Sequence, residues 1–151
     1  MLKGIDPLLT PELLKVLAEM GHGDAIVVAD ANFTATTLGV DKPLIRLPGV
    51  GVPRAAQALL SLLPLDESVA QPVSYMQVCG TADGYRSALQ RQVIAQLEAG
   101  GLARPAQCEA VERFAFYDRV QRAFAIVHTG ELQPYANFIL KKGVICDTLV
   151  P

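Results

Sequence analysis

The chain has 151 residues, 51% of them hydrophobic, a mean hydropathy of +0.31 and a net charge of −2. One domain over 1–151 is the expectation from that length, and the scattered, near-neutral charge argues against nucleic acid and anionic membranes as partners. No apolar run approaches the ~18 residues of a membrane span, so the apolar surplus points to surface buried between subunits of a homo-oligomer.

The N-terminus, "MLKGIDPLLTPELL", has no long apolar stretch after its basic residue and reads as the start of a folded domain rather than a secretion signal. "TPELLKVLAEMG" predicts a helix: Thr10 can cap it, Pro11 fits its first turn, and Leu13, Leu14, Leu17 and Met20 share a face. Gly21 is placed to stop it. "AIVVAD", 25–30, is a continuous β-branched run, as in a strand buried on both faces. A Thr-rich loop follows, then a short strand and a Gly/Pro turn in "PLIRLPGVGVP". The spacing predicts a helix in 53–66 that stops near Pro64, a strand over 72–80, a longer helix over 82–101 and a strand near 107–113. "FYDRVQRAFAIVHTGE" combines a short helix with a strand at 124–129, and "PYANFILKKGVI" is a turn leading into a last strand. Short strands alternating with helices predict an α/β layered domain.

Cys79, Cys108 and Cys146 are far apart and form no metal or disulfide pattern, so they read as buried small hydrophobes in a reducing cytoplasm. With two distant histidines and no HExxH, no metal site is visible. "LPGVGVP" lacks the GxGxxG or Walker spacing of a phosphate loop, and there is no GxSxG.

Few ionisable groups lie off a solvated helix face. His22, in "GHGD", sits at a bend where flanking glycines leave its ring uncrowded. Imidazole exchanges protons near neutrality; the alternative is a histidine satisfying a helix C-terminus. Asp30 closes the first apolar strand, at the carboxyl end where α/β sheets meet ligands, or caps the next loop as an Asx turn. Tyr135 and Asn137, in "PYAN", offer a phenol and an amide to sugar hydroxyls, or make a self-bonded turn. Arg113 sits among apolar residues and needs either a carboxylate partner or a ligand. His128 reads as a satisfied or exposed strand histidine.

In order, "LLKVLAEMGHGDAIVVADANF", "RFAFYDRVQRAFAIVHTGE" and "PYANFILKKGV" resemble the ribose pyranase/L-fucose mutarotase family along nearly the whole chain. "ELLKVLAEMGHGD" and "RFAFYDR" sit closer to the fucose branch. The resemblance implies a three-layer α/β/α domain around a mostly parallel or mixed sheet, no cofactor, and a ring-shaped, decameric homo-oligomer in the cytoplasm. It implies a monosaccharide substrate, His22 as the acid/base residue, and Asp30, Arg113, Tyr135, Ala136 and Asn137 as sugar contacts; a phenol so placed is also a candidate to join the proton relay, which makes Tyr135 a second expected catalytic residue. Asn32 stands where fucose-branch members often carry histidine, and the segments 33–53 and 75–105 diverge from the family. The activity expected is interconversion of α and β anomers, of L-fucose or a related sugar, through the open-chain aldehyde. The alternatives are a D-ribose pyranase, a non-catalytic sugar-binding accessory of a transport system, and a structural assembly protein.

Overall fold

The structure, a computed structural model, describes residues 1–147. The last four residues of the domain expected over 1–151 lie outside the described residues. Eleven helices and strands follow the chain: α1 (Pro11–Glu19), β1 (Ala25–Ala29), α2 (Ala35–Leu38), β2 (Leu44–Leu47), α3 (Val52–Leu60), β3 (Val73–Met76), α4 (Ala88–Ala99), β4 (Cys108–Val111), α5 (Arg113–Gln121), β5 (Ala125–Thr129) and β6 (Phe138–Lys141). A 3₁₀ turn, Pro105–Gln107, leads into β4.

The strands form one six-stranded sheet in the order β2-β5-β1-β6-β3-β4. Neighbouring pairs are parallel except at β6, which runs antiparallel to both β1 and β3. The sheet is therefore mixed, with β6 as its one reversed strand. Because β6 is reversed, its beginning lies at the same edge as the ends of the other five. That edge gathers the candidate site.

Helices cover both faces. Leu13, Val16 and Leu17 of α1, with the buried faces of α3 and α4, pack on Ile26, Val28, Val127, Phe138 and Leu140. Phe116 and Val120 of α5, with Ala35 of α2, pack on Val27, Ala29, Ile126 and Ile139 on the other side. Neighbours along β1 thus enter opposite cores, which is why its sequence is apolar without alternation. Ile26 through Ala29 are all fully buried. The α/β/α layering matches the expectation.

Several boundaries moved for local reasons. The helix expected over 82–101 begins only at Ala88: Gly84 takes a left-handed φ of +80°, and Ser87 and Gln90 close a reciprocal cap. The helix expected over 53–66 runs from Val52 to Leu60. The Thr-rich loop contains the single turn α2. The strand expected over 107–113 stops at Val111, because the Glu112 carboxylate accepts the backbone N–H groups of Phe114 and Ala115 and starts α5. Arg113 therefore opens a helix. Two of the cysteines expected to be buried are not: Cys79 and Cys146 lie in exposed segments beyond β3 and β6, and only Cys108 is buried.

Candidate functional site

Four chain segments converge at the carboxyl edge of the parallel strands. They are the residues after β1, the end of β3, the start of α5 and the turn before β6. Between them lies a cavity of about 220 Å³ whose lining includes Asp30, Phe33, Arg113, Tyr117, Tyr135 and Asn137. That is below the ~300 Å³ at which drug-sized pockets begin, so it suits a small ligand. Two larger hollows lack its chemistry. The 340 Å³ cleft between α3 and α4 has no titratable lining residue. In a 530 Å³ groove Arg54 is already paired with Asp6, and Glu131 accepts from Val52 and Gln133 backbone N–H groups.

Asp30 is 3% exposed and reciprocally bonded to Asn137. The Asp30 N–H donates to Asn137 Oδ1 at 2.8 Å, and Asn137 Nδ2 donates back to Asp30 Oδ2 at 3.0 Å. The other carboxylate oxygen accepts the Asn32 N–H at 3.0 Å. Asp30 thus makes an Asx turn and also lines the cavity. Burial pushes its carboxyl above the usual range, and the hydrogen bonds from Asn32 and Asn137 oppose that rise. Asn137 is itself 3% exposed, so its amide serves mainly to lock β6 to the end of β1. Ala136 is fully buried.

Arg113 donates from Nε to the Tyr117 hydroxyl at 3.0 Å, and its guanidinium stacks 5.5 Å from that ring and 5.6 Å from Phe114. Among the described residues it makes no ion pair, which leaves its remaining donors for a ligand. The Tyr117 bond raises the guanidinium pKa further. Tyr135 is the one non-glycine with a left-handed backbone among the described residues, φ +60°. The hydrogen bond with Cys79, and the charge that sulfur can carry, hold its phenol above the ordinary range, so it stays protonated. Aromatic rings complete the lining: Phe33 packs edge-on against Phe116 and against Tyr117, the ring on which Arg113 stacks.

His22 does not reach this cavity within one chain. It precedes β1 whereas Asp30 follows it, and the intervening residues span about 20 Å of extended chain. The bend that carries it needs Gly23, whose φ is +84°. At that opposite edge Nε2 of His22 lies 3.2 Å from Asp66 Oδ1. The Asp66 carboxyl is held down at about 2, first by the Ser68 hydroxyl, against its burial, and then by the Ser68 N–H and His22. An ionised carboxylate only accepts, so Nε2 carries the hydrogen of that contact. The ring is 51% exposed and has no protein partner on Nδ1 among the described residues. His128 is satisfied: Arg46, which can only donate, lies 2.9 Å from Nδ1, and Nε2 lies 3.1 Å from the Ala31 carbonyl.

Two polar residues of these sites escaped the sequence reading. Asp66 sat at the end of an expected helix, and its D-x-S turn was the available signal. Gln90 was placed mid-helix, although S-x-x-Q at 87–90 marks a capping box.

The family model described as the RbsD / FucU transport protein family matches residues 3–145. A protein named L-fucose mutarotase from Actinobacillus pleuropneumoniae serotype 5b (strain L20) is 44% identical over 95% of this chain and 97% of its own length. The human protein named fucose mutarotase is 46% identical over 95% of this chain and 94% of its own. The crystal structure of the fucose mutarotase from Streptococcus pneumoniae in complex with L-fucose superposes with a TM-score of 0.84 at 39% identity, covering 96% of this chain and all of that one.

Proposed function

Because this chain belongs to the RbsD / FucU family, we propose that it is a mutarotase that interconverts the α and β anomers of L-fucose or a closely related sugar. The observation that carries the reading is the small carboxyl-edge cavity, where a buried carboxylate, a guanidinium without an ion pair among the described residues and a phenol line the same space as the rings of Phe33 and Tyr117. A hexose with one apolar edge matches such a lining: its hydroxyls meet Asp30, Arg113 and Tyr135, and its methyl-bearing face meets Phe33 and Tyr117.

Mutarotation removes a proton from the anomeric hydroxyl and supplies one to the ring oxygen, giving the open-chain aldehyde; reclosure on the other carbonyl face reverses both transfers. Two groups are needed. The Tyr135 phenol, kept protonated, is one donor at the cavity. His22 is the other group, and since it lies at the far edge of its own sheet it serves the cavity of a neighbouring copy. Asp66 holds its ring so that Nδ1 faces outward. This arrangement fits the expected homo-oligomeric ring, and it makes the assembly, decameric by family resemblance, a requirement for activity. Positioned acid/base groups contribute about 10² to 10⁴ in rate. Ala136 and Asn137 act by fixing Tyr135 and Asp30 rather than by contacting the sugar through side chains.

D-ribose pyranase activity is the weaker reading, since the relatives named above are fucose mutarotases. No helix among the described residues is long and apolar enough to cross a membrane, and a cytoplasmic location accords with the free thiols. Saturation-transfer NMR on L-fucose and D-ribose side by side tests the function. Faster L-fucose anomer exchange supports it; saturable binding without faster exchange would return the chain to a sugar-binding accessory.

A further inference from the structure

We infer that Gln90 is a positioning residue that holds the Tyr135 phenol over the cavity. Gln90 is fully buried, the most deeply buried polar side chain among the described residues. Its amide is fully used. Oε1 accepts the Ser87 N–H at 2.9 Å, while Nε2 donates to the Met76 carbonyl at 2.8 Å and to the Tyr135 carbonyl at 3.1 Å. One side chain thus ties the first turn of α4 to the end of β3 and to the turn before β6. The latter two line the cavity.

Tyr135 needs such a tie. Its φ of +60° is disfavoured for a residue with a Cβ by roughly 1–2 kcal/mol, so the turn would relax toward negative φ if nothing held its carbonyl. Pro134, the residue before it, has its own φ fixed by its ring, and Asn137, two residues beyond, is held by Asp30. Gln90 is the one side chain that bonds the Tyr135 backbone itself among the described residues. A glutamine is required by its valence. Two carbonyls must be supplied with two hydrogens from one nitrogen while a backbone N–H is accepted on the other side, and only a primary amide does all three.

The inference rests on the mutarotase reading for its catalytic consequence, not for its geometry, and the test separates them. In Gln90→Met the side chain keeps its volume and loses all three bonds; Gln90→Glu keeps the acceptor for Ser87 and supplies at most one of the two donated hydrogens, and serves if the first variant does not fold. A crystal structure of either is expected to show the Tyr135 ring displaced from the cavity with the sheet unchanged. L-fucose exchange is expected to fall about 10- to 100-fold, the scale of a misplacement near 1 Å, and the loss is expected to shrink to within about twofold when the same change is made in a Tyr135→Phe background, because coupled residues are not additive. A Tyr135 ring that stays in place, or losses that multiply in the double variant, overturns the inference. A displaced ring in a protein whose wild type does not speed exchange would leave the positioning role standing and remove the mutarotase reading instead.

Discussion

Replacing Asp30 with asparagine separates its two roles. The wild-type carboxylate accepts two hydrogens, from Asn137 Nδ2 and from the Asn32 N–H, each at 3.0 Å. Asparagine has one acceptor oxygen, so in either amide orientation one donor is left facing an N–H₂ group inside a buried site. An unsatisfied buried donor costs about 1–3 kcal/mol, partly offset because the variant no longer buries a charge. At about 2–4 °C per kcal/mol for a chain of this size, the melting temperature is expected to drop by at most about 12 °C. The pH dependence has a definite sign. Burial raises the folded-state pKa above 3.8, so the folded state holds a proton that the unfolded chain has released, and Asp30 weakens the fold progressively as pH rises from 3.8 through the folded value. The variant lacks that slope. For the sugar, loss of a charged acceptor is worth about 1.5–3 kcal/mol, or about 10- to 150-fold in affinity. Thermal denaturation and calorimetric titration with L-fucose read the two effects. A variant with the expected loss of stability but L-fucose affinity within about twofold of wild type would make Asp30 a loop cap and nothing more.

Tyr135→Phe is expected to keep the melting temperature within about 2 °C, since a partly exposed phenol is removed, while anomer exchange falls by about 10² or more. Arg113→Met is expected to weaken L-fucose binding at least about tenfold, read by titration, because it removes the unpaired guanidinium donors from the cavity. Asn137→Leu breaks the reciprocal lock on Asp30 and is expected to cost about 3–5 kcal/mol in denaturant unfolding; a loss under 1 kcal/mol would contradict the lock. Asp66 has a folded-state pKa of about 2, below its unfolded value of 3.8, so its stabilisation is present above pH 3.8 and lost as pH falls toward 2. Acid unfolding of Asp66→Asn is therefore expected to be shallower than that of wild type over that window.

The layered fold was legible because hydrophobic periods survive in sequence: β1 reads as an unbroken apolar run since Ile26 through Ala29 alternate between two cores. What did not read was chemistry set by spatial partners. The reversed direction of β6 brings Asn137 to Asp30 across 107 positions of chain, and no local pattern announces that bond. Arg113 was expected on a strand and opens a helix because Glu112 caps it. His22 stood out for its glycines, yet only the topology shows it at the edge opposite Asp30. Gln90 carried a readable capping signal, but its hidden bonds to Met76 and Tyr135 depend on packing alone.

The central claim is that a cavity on one chain works with the imidazole of another. Mixed oligomers test it. His22→Ala and Tyr135→Phe are each expected to be nearly inactive. Dissociated, combined in equal amounts and reassembled, they are expected to recover about one quarter of wild-type L-fucose exchange, because about one interface in four then pairs an intact cavity with an intact histidine. Exchange that stays at the level of the separate variants after verified mixing, or His22→Ala that is fully active alone, would contradict the account.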